Sequence, residues 1–199
     1  MTQETDQNLR SPFQSIISDA IVALEMLRQC EAHFEAATAA MADSLRAGGK
    51  ILACGNGGSA ADAAHFMTEL LCRFCLDRHS LPGVALTNDG SFLTATSNDY
   101  GFDAVFSRQV EGLGNEGDVL VGISTSGNSE NVLRALETAN DKGLCSIALL
   151  GRDGGRSKGV AEIDIIVPHT VTARIQEAQK VLIHAFCAGI ESHLGLVDE

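Results

Sequence analysis

Two stretches of the chain place ionisable and metal-ligating side chains at helical spacing. His65 and Glu69 stand four residues apart in an Ala-rich stretch, so they share one face of a predicted helix, with Arg73 one turn further on. Gln176 and His184 lie in the apolar pattern of a predicted C-terminal helix. Carboxylate and imidazole groups suit general acid–base catalysis, and His and Glu, with the less common ligand Gln, could hold a divalent metal of the zinc type.

The spacing of these residues leaves more than one interpretation open. His65 and Glu69 also suit an ordinary surface pair, but their helix is apolar around most of its circumference, which predicts burial. A buried carboxylate needs a partner. Gln176 and His184 are separated by about 12 Å of helical rise. A shared metal would therefore need converging side chains or a second subunit, and spacing alone does not decide whether a metal binds.

A glycine-rich turn precedes the first pair. The apolar run from Ile51 to Cys54 is typical of a buried parallel strand, and residues 55–58 read Gly-Asn-Gly-Gly. Ser59 is then predicted to cap a helix that has Asp62 in its first turn. Free N–H groups and the positive end of the helix dipole meet at such a turn. The sequence therefore predicts an anion site for a phosphorylated metabolite.

A second loop of the same kind follows the predicted strand 118–123. Parallel strands have their carboxyl ends at one edge of the sheet, where ligands bind, so the two loops are predicted to meet over one ligand. The alternative is that these residues only make turns and helix caps. The hydroxyls of the second loop that suit phosphate oxygens are those of Ser124, Thr125, Ser126 and Ser129.

Nucleotide-binding interpretations of the glycine turn are weaker. Residues 55–60 fit the loose pattern G-x-G-x-x-A, but the acidic residue that should hold a ribose comes late, in Thr87-Asn88-Asp89. The loop also lacks the G-K-[ST] ending of nucleoside triphosphatases.

Apolar periodicity predicts the elements that position these groups. Strands alternate with helices, which predicts an α/β fold with a parallel five-stranded sheet and helices on both faces. The 199 residues are expected to form one domain, with residues 1–48 as a helical lead-in. Core packing is expected for most apolar residues of the lead-in, and an oligomer interface is the alternative. The predicted strands cover 51–54, 84–87, 118–123, 145–150 and 163–167, and the later helices cover about 91–98, 103–113, 130–141 and 173–193.

Composition narrows the class of partner and the compartment. The net charge is −12 without a Lys/Arg-rich run, which argues against nucleic acid or an anionic membrane as the main partner. No apolar run is long enough to span a bilayer, and the polar start MTQETDQNLR is unlike a secretory signal. Six scattered cysteines suit reduced thiols in the cytoplasm, and the single C-x-x-C of Cys72 and Cys75 is a weak redox or metal signal.

The combined motifs resemble one family across nearly the whole chain. They are Cys54-Gly-Asn-Gly-Gly-Ser59 with His65 and Glu69, Asn98-Asp99, Gly122-Ile-Ser-Thr-Ser-Gly-Asn-Ser129, and Arg174-Ile-Gln-Glu177 with His184. The chain is thereby similar to the phosphoheptose isomerase (sedoheptulose 7-phosphate isomerase) family of the sugar isomerase (SIS) domain superfamily. The resemblance implies a flavodoxin-like, three-layer fold with added N-terminal helices.

The resemblance also implies an activity and a site. Such proteins convert D-sedoheptulose 7-phosphate to D-glycero-D-manno-heptose 7-phosphate, the first step toward ADP-heptose and bacterial surface polysaccharides. The resemblance implies a homotetramer with active sites between subunits. It implies one Zn²⁺ per subunit, held by residues matching His65, Glu69, Gln176 and His184. The implied substrate contacts are Asn56, Gly57, Gly58, Ser59, Glu69, Asn98, Asp99, Ser124, Thr125, Ser126, Ser129 and Gln176.

The implied chemistry agrees with these residue types. Ketose–aldose exchange removes a proton at C1 and returns one at C2 through an enediol, so it needs a base, an acid and charge stabilisation at the oxygens. Glu69 is assigned as the base and His184 as the acid, with zinc polarising or positioning the substrate oxygens. A carboxylate bound to zinc is a weaker base, so the expectation that Glu69 is the base conflicts with the expectation that it is a zinc ligand.

Two departures and two alternatives accompany the resemblance. The segment Thr87-Asn88-Asp89 lengthens a loop relative to some members, and Ala173 stands where some carry an acidic residue, so sugar preference is the property in question. Related proteins of the superfamily bind a replication initiator or sense a sugar phosphate without turnover. Retention of Glu69 and His184 favours the isomerase.

Overall fold

A computed structural model of the protein describes residues 11–196. Residues 1–10, which carry the expectation about a secretory signal and begin the helical lead-in, lie outside the described residues, as do residues 197–199.

Five parallel strands form one sheet in the order β2-β1-β3-β4-β5. Residue Ile51 of β1 is paired with Gly83 of β2 and with Val119 of β3. The chain runs from β1 to β2 on one side and then returns to β3 on the other side, so the strand order reverses between β1 and β3. Flavodoxin-like sheets bind ligands at this switch point. The predicted parallel sheet is confirmed. The strands are β1 Ile51–Gly55, β2 Gly83–Ala85, β3 Val119–Ser124, β4 Cys145–Gly151 and β5 Ile163–Val167.

Among residues 11–196, seven α-helices connect and flank the strands. They are α1 Pro12–Glu25, α2 Glu31–Arg46, α3 Gly58–Leu71, α4 Gly90–Tyr100, α5 Ser107–Leu113, α6 Glu130–Asp141 and α7 Thr172–His193. Short 3₁₀ turns at Met26–Cys30, Phe102–Ala104 and Gly155–Ser157 complete the described secondary structure. Among residues 11–196, every helix is too short or too polar to cross a membrane.

Two cores fill the faces of the sheet, as the prediction of helices on both faces requires. Successive residues of a strand point to opposite faces. Ile51 and Ala53 of β1 therefore join the core that contains α2, α3 and α7, whereas Leu52 and Cys54 join the core under α5 and α6.

The start of α3 differs from the prediction. The helix begins at Gly58, and its N-cap is Gly57 with φ +57°, so Ser59 is not the capping residue. Ser59 instead lies in the first turn, where its N–H donates to the carbonyl of Asn56. The left-handed glycine lets the chain enter the helix two residues early. Asp62 consequently falls in the second turn rather than the first.

Two other boundaries are shifted. The second strand is Gly83–Ala85 instead of 84–87, because the chain turns at Leu86 and Thr87. The helix expected over 103–113 is divided into a 3₁₀ turn and the shorter helix α5.

The apolar face of α1 is exposed, contrary to the expectation of core packing. Phe13 is 72% exposed, and Ile17 and Ile21 are about half exposed. Among the residues of α1, Ala23 alone is fully buried. The apolar spacing of this face correctly predicts a helix. The helical period does not indicate whether the apolar side packs on the core of the same chain or on another subunit.

Candidate active site

The two predicted ligand-binding loops lie side by side beyond β1 and β3. Gly55 at the end of β1 is opposite Ile123 of β3. Asn56 of the glycine turn and Asn131 of α6 donate to each other through their side-chain amides, at 2.8 and 2.9 Å. Asn131 is buried and was not predicted, since a polar residue in the first turn of a helix has no distinguishing sequence signal.

Hydroxyls of the second loop, which we call the serine loop (residues 124–129), shape the loop itself. The Oγ atoms of Ser124 and Ser129 lie 3.1 Å apart, and Ser124 Oγ also accepts the N–H of Gly127 at 3.1 Å. Ser126 Oγ accepts the N–H of Asn128 at 3.1 Å. Because a hydroxyl has one donor and two acceptor sites, these contacts leave capacity for a ligand. The turn-forming and ligand-binding interpretations are therefore compatible.

A glycine-rich segment, residues 151–157, packs against the serine loop and is hydrogen-bonded to it. Gly127 has φ +65°, and a Cβ added there would overlap the carbonyl of Gly154. The N–H of Ser157 donates to Gly127 O at 2.9 Å, and the N–H of Arg156 donates to Asn128 Oδ1 at 3.1 Å. The shape of the serine loop thus depends on close backbone contact that only glycine permits.

Helices α3 and α7 run parallel along one face of the sheet and pair their polar residues in order. Gln176 packs on Gly58, where an added Cβ would overlap its amide. The next polar pair is an ion pair between Lys180 Nζ and Asp62 Oδ1 at 2.6 Å. This packing brings residues of the two predicted helical pairs together.

His65, Glu69 and His184 converge one turn further along. The two Nε2 atoms of His65 and His184 lie 3.0 Å apart, and His65 Nε2 lies 3.5 Å from Glu69 Oε1. Burial, followed by the positive charge of Lys180, lowers the pKa of His65, although Glu69 opposes the shift. His65 is therefore neutral near pH 7, which is the form that accepts a proton or binds a metal. The three side chains are only partly exposed and form the candidate catalytic cluster.

Gln176 lies apart from this cluster. About 12 Å of helical rise separates it from His184, and its amide lies beside Gly58. Among residues 11–196, no group of three or more His, Cys, Asp and Glu side chains is arranged to hold a metal ion. The donor types of His65, Glu69 and His184 nonetheless fit zinc, and His65 Nε2 lies within 3.5 Å of a donor atom of each of the other two.

Asn98 and Asp99 lie at the end of α4 and are exposed. The Asn98 amide donates to Asp99 Oδ1 at 2.8 Å, and within the described chain neither is bonded to another predicted site residue. Arg73 is also exposed and donates to the carbonyl of Cys75 at 3.2 Å. These three residues are not brought to the cluster within one subunit.

The two places where the sequence departs from some members of the family, residues 87–89 and Ala173, lie at the starts of α4 and α7. Asp89 caps α4 by accepting the N–H of Phe92 at 3.0 Å, which gives the Thr87–Asp89 segment a structural use. Ala173 is exposed in the first turn of α7.

All six cysteines are free thiols. Cys72 and Cys75 are exposed just beyond α3. Burial raises the pKa of Cys54 and of Cys187 to about 12, so these thiols stay protonated and unreactive.

Comparison with known proteins identifies close relatives of this arrangement. A SIS domain model matches residues 18–151. A phosphoheptose isomerase of Geobacter sp. (strain M21) is 56% identical over 162 residues, covering 81% of this chain and 84% of the relative. The structure of phosphoheptose isomerase from Neisseria gonorrhoeae is 48% identical, with a TM-score of 0.84 over 90% of this chain and 97% of that one. The structure of a phosphoheptose isomerase from Francisella tularensis is 40% identical, with a TM-score of 0.87 over 90% and 96%.

Proposed function

The chain belongs to the phosphoheptose isomerase family of SIS-domain proteins, and we propose that Glu69 and His184 carry out the proton transfers of its reaction. The protein is an aldose–ketose isomerase of heptose biosynthesis that converts D-sedoheptulose 7-phosphate to D-glycero-D-manno-heptose 7-phosphate. Glu69 is the base that removes the C1 proton, and His184 is the acid that protonates the substrate oxygen. The heptose is destined for a bacterial surface polysaccharide, and the free thiols suit work in the cytoplasm.

One observation carries this assignment. His65, which lies 3.0 Å from His184 and 3.5 Å from Glu69, joins a carboxylate and an imidazole into one cluster across two helices. A carboxylate and an imidazole in reach of one substrate supply the base and the acid that an enediol mechanism needs. The serine loop binds the phosphate and so fixes the position of the reacting carbons.

The assay is conversion of sedoheptulose 7-phosphate in D₂O, followed by NMR. Deuterium is expected at C2 of the aldose product, because the C1 proton is exchanged with solvent on the base before it is returned. Aldose that forms without deuterium, under conditions in which a proton on the base has time to exchange with solvent, would indicate hydride transfer between carbons. That result would contradict the base assigned here.

Zinc is proposed as the cofactor, one ion per subunit, with His65, Glu69 and His184 as ligands from one chain. The neutral His65 and its short distances to His184 and Glu69 support this choice. When bound, zinc would stabilise negative charge on the substrate oxygens. Gln176, the remaining expected ligand, is too far along α7 to join from the same subunit, so we assign that contact to a neighbouring subunit.

A homotetramer with active sites between subunits is proposed on two grounds. Helix α3 rises about 16 Å between Gly58, beside the loops that hold the phosphate, and Glu69. That span exceeds the reach of an extended sugar phosphate. The base of one subunit and the phosphate site of a neighbouring subunit are therefore better placed to act on the same substrate. The exposed apolar face of α1 is the second ground, since such faces mark association surfaces.

Substitution of Ile17 by Asp in this face is expected to dissociate the oligomer. In the proposed tetramer a neighbouring subunit covers Ile17, and burying a charge at such an apolar contact is strongly unfavourable. Sedimentation at micromolar concentration should give a tetramer for the wild type and smaller species for Ile17→Asp, with turnover lost in parallel. Ser15→Asp, on the opposite side of α1, should remain tetrameric and active. A monomeric, fully active wild type would contradict the proposal.

Substitution of Gly127 by Ala is expected to raise KM. A Cβ would overlap Gly154 and must occupy a left-handed conformation, which costs about 1–2 kcal/mol. The serine loop should shift, and loss of one charge-assisted hydrogen bond to the phosphate, about 1.5–3 kcal/mol, would raise KM about tenfold or more. Gly159→Ala is the matched control, because Gly159 has φ +79° with open space around its Cβ position. Equal KM values in the two variants would exclude this role for the loop contact.

A further inference from the structure

A buried ion pair joins the segment after α3 to α7 close to the candidate catalytic cluster. Arg78 Nε lies 2.6 Å from Glu191 Oε1, and the two side chains are only 2% and 1% exposed. Arg78 stands in the irregular segment 72–82, and Glu191 stands in α7, about two turns beyond His184.

The guanidinium of Arg78 also caps the end of α3. Its Nη2 donates to the carbonyl of Glu69 at 2.8 Å, and its Nη1 donates to the carbonyl of Leu70 at 2.9 Å. The last carbonyls of a helix have no partner within the helix, and a cation is favourable there. The turn of α3 that carries the proposed base is therefore held by Arg78.

Glu191 extends the same connection toward the proposed acid. Its Oε1 accepts the N–H of Phe74 at 3.4 Å, and the ring of Phe74 packs against that of His184 with centroids 5.8 Å apart. The catalytic cluster thus lies between two ion pairs that link the α3 side to α7, the Lys180–Asp62 pair on one side and the Arg78–Glu191 pair on the other.

Stability alone is a weak explanation for this pair. Burying two charges costs much of what their attraction returns, and apolar residues of similar volume often stabilise a protein as well or better. The other carboxylate oxygen of Glu191 is buried and has no hydrogen-bond partner among the described residues. What apolar residues could not replace is the set of directed bonds from Arg78 to the backbone of α3.

We propose that Arg78 and Glu191 are positioning residues that set the relative placement of Glu69 and His184 for proton transfer. This inference rests on the proposed roles of Glu69 and His184. Both side chains are buried, and in this proposal they act through the end of α3 and through Phe74 instead of by contact with the substrate. A displacement of about 1 Å between reacting groups can cost about 10²-fold in rate.

The test compares Arg78→Lys, Arg78→Met and the double variant Arg78→Met with Glu191→Leu. Lysine keeps the charge but cannot donate to Glu191 and to two carbonyls in the fixed fork of arginine. The double variant removes both charges, so it should fold even where Arg78→Met does not. In the folded fraction of each variant, kcat should fall by up to about 10²-fold with KM little changed.

The decisive readout is the ratio of exchange to conversion in D₂O. It compares deuterium returned to C1 of the ketose with aldose formed, and it does not depend on how much enzyme is folded. The ratio should change in all three variants if the acid and base are displaced. Lys50→Met is the matched control, since it breaks the Lys50–Asp118 ion pair, which joins the residue before β1 to the residue before β3, and its ratio should equal that of the wild type.

A wild-type ratio and a wild-type kcat per folded molecule in Arg78→Lys and in the double variant would overturn the proposal. Failure of the catalytic assignment itself gives a different result, because turnover would then survive in Glu69→Gln whatever the Arg78 variants do.

Discussion

Glu69→Gln is expected to lower kcat by about 10²–10⁴-fold, the usual contribution of a general base. The amide has the shape of the carboxylate but cannot take up the C1 proton. Glu69 lies within 3.5 Å of His65 and is only 20% exposed, so solvent cannot readily substitute for it. Turnover of sedoheptulose 7-phosphate and C1 exchange in D₂O should both be lost, whereas KM should change little because the serine loop still binds the phosphate.

The control for this experiment is Glu137→Gln, which removes an exposed carboxylate from α6 and should behave as the wild type. Thermal unfolding of both variants checks that they are folded. Substantial exchange at C1 in Glu69→Gln would show that another group removes the proton, even if the isomerase activity of the protein is unaffected.

His184→Gln is expected to lower kcat about 10²-fold or more, since the proposed acid is removed. Its Nε2 lies 3.0 Å from that of His65, so the substitution also breaks the imidazole pair. We expect bound zinc, measured by metal analysis of the purified protein, to fall in the same variant.

His65→Gln separates the two effects. It removes a proposed metal ligand but leaves the proposed acid in place, so excess zinc should restore part of its turnover. Excess zinc should not restore His184→Gln, because no metal replaces the lost proton donor. Equal rescue of both variants would mean that His184 is only a ligand, and a wild-type protein that is fully active after chelation and free of metal would exclude zinc from the site.

Local sequence patterns were sufficient for the sheet and for its two loops. Apolar runs followed by Gly, Ser and Asn predicted strands that end in ligand-binding turns, and the structure places the ends of β1 and β3 side by side. These features depend on near neighbours in the chain: side-chain alternation, turn-forming residues and the end of a helix. The position of the first residue of α3 was missed because a left-handed Gly57 has the same sequence signal as any turn glycine.

Residues distant in sequence could be assigned only through family resemblance or the structure. His65 and His184 are 119 residues apart, and nothing in the periodicity of either helix indicates that α3 and α7 are parallel neighbours. Motif resemblance paired them, but it did not indicate Arg78 or Glu191. Those two charged residues look like ordinary polar residues in sequence, and only their burial against each other reveals a connection.

The sequence by itself therefore determined the type of sheet, the loops at its carboxyl edge and the residue types available for proton transfer. Tertiary structure alone decided which helices pack together, which charges are buried and which apolar faces are left exposed, as on α1. The physical reason is that hydrophobic burial is non-directional. An apolar stripe specifies that a helix must be covered, whereas strand order, packing between helices and other subunits decide what covers it.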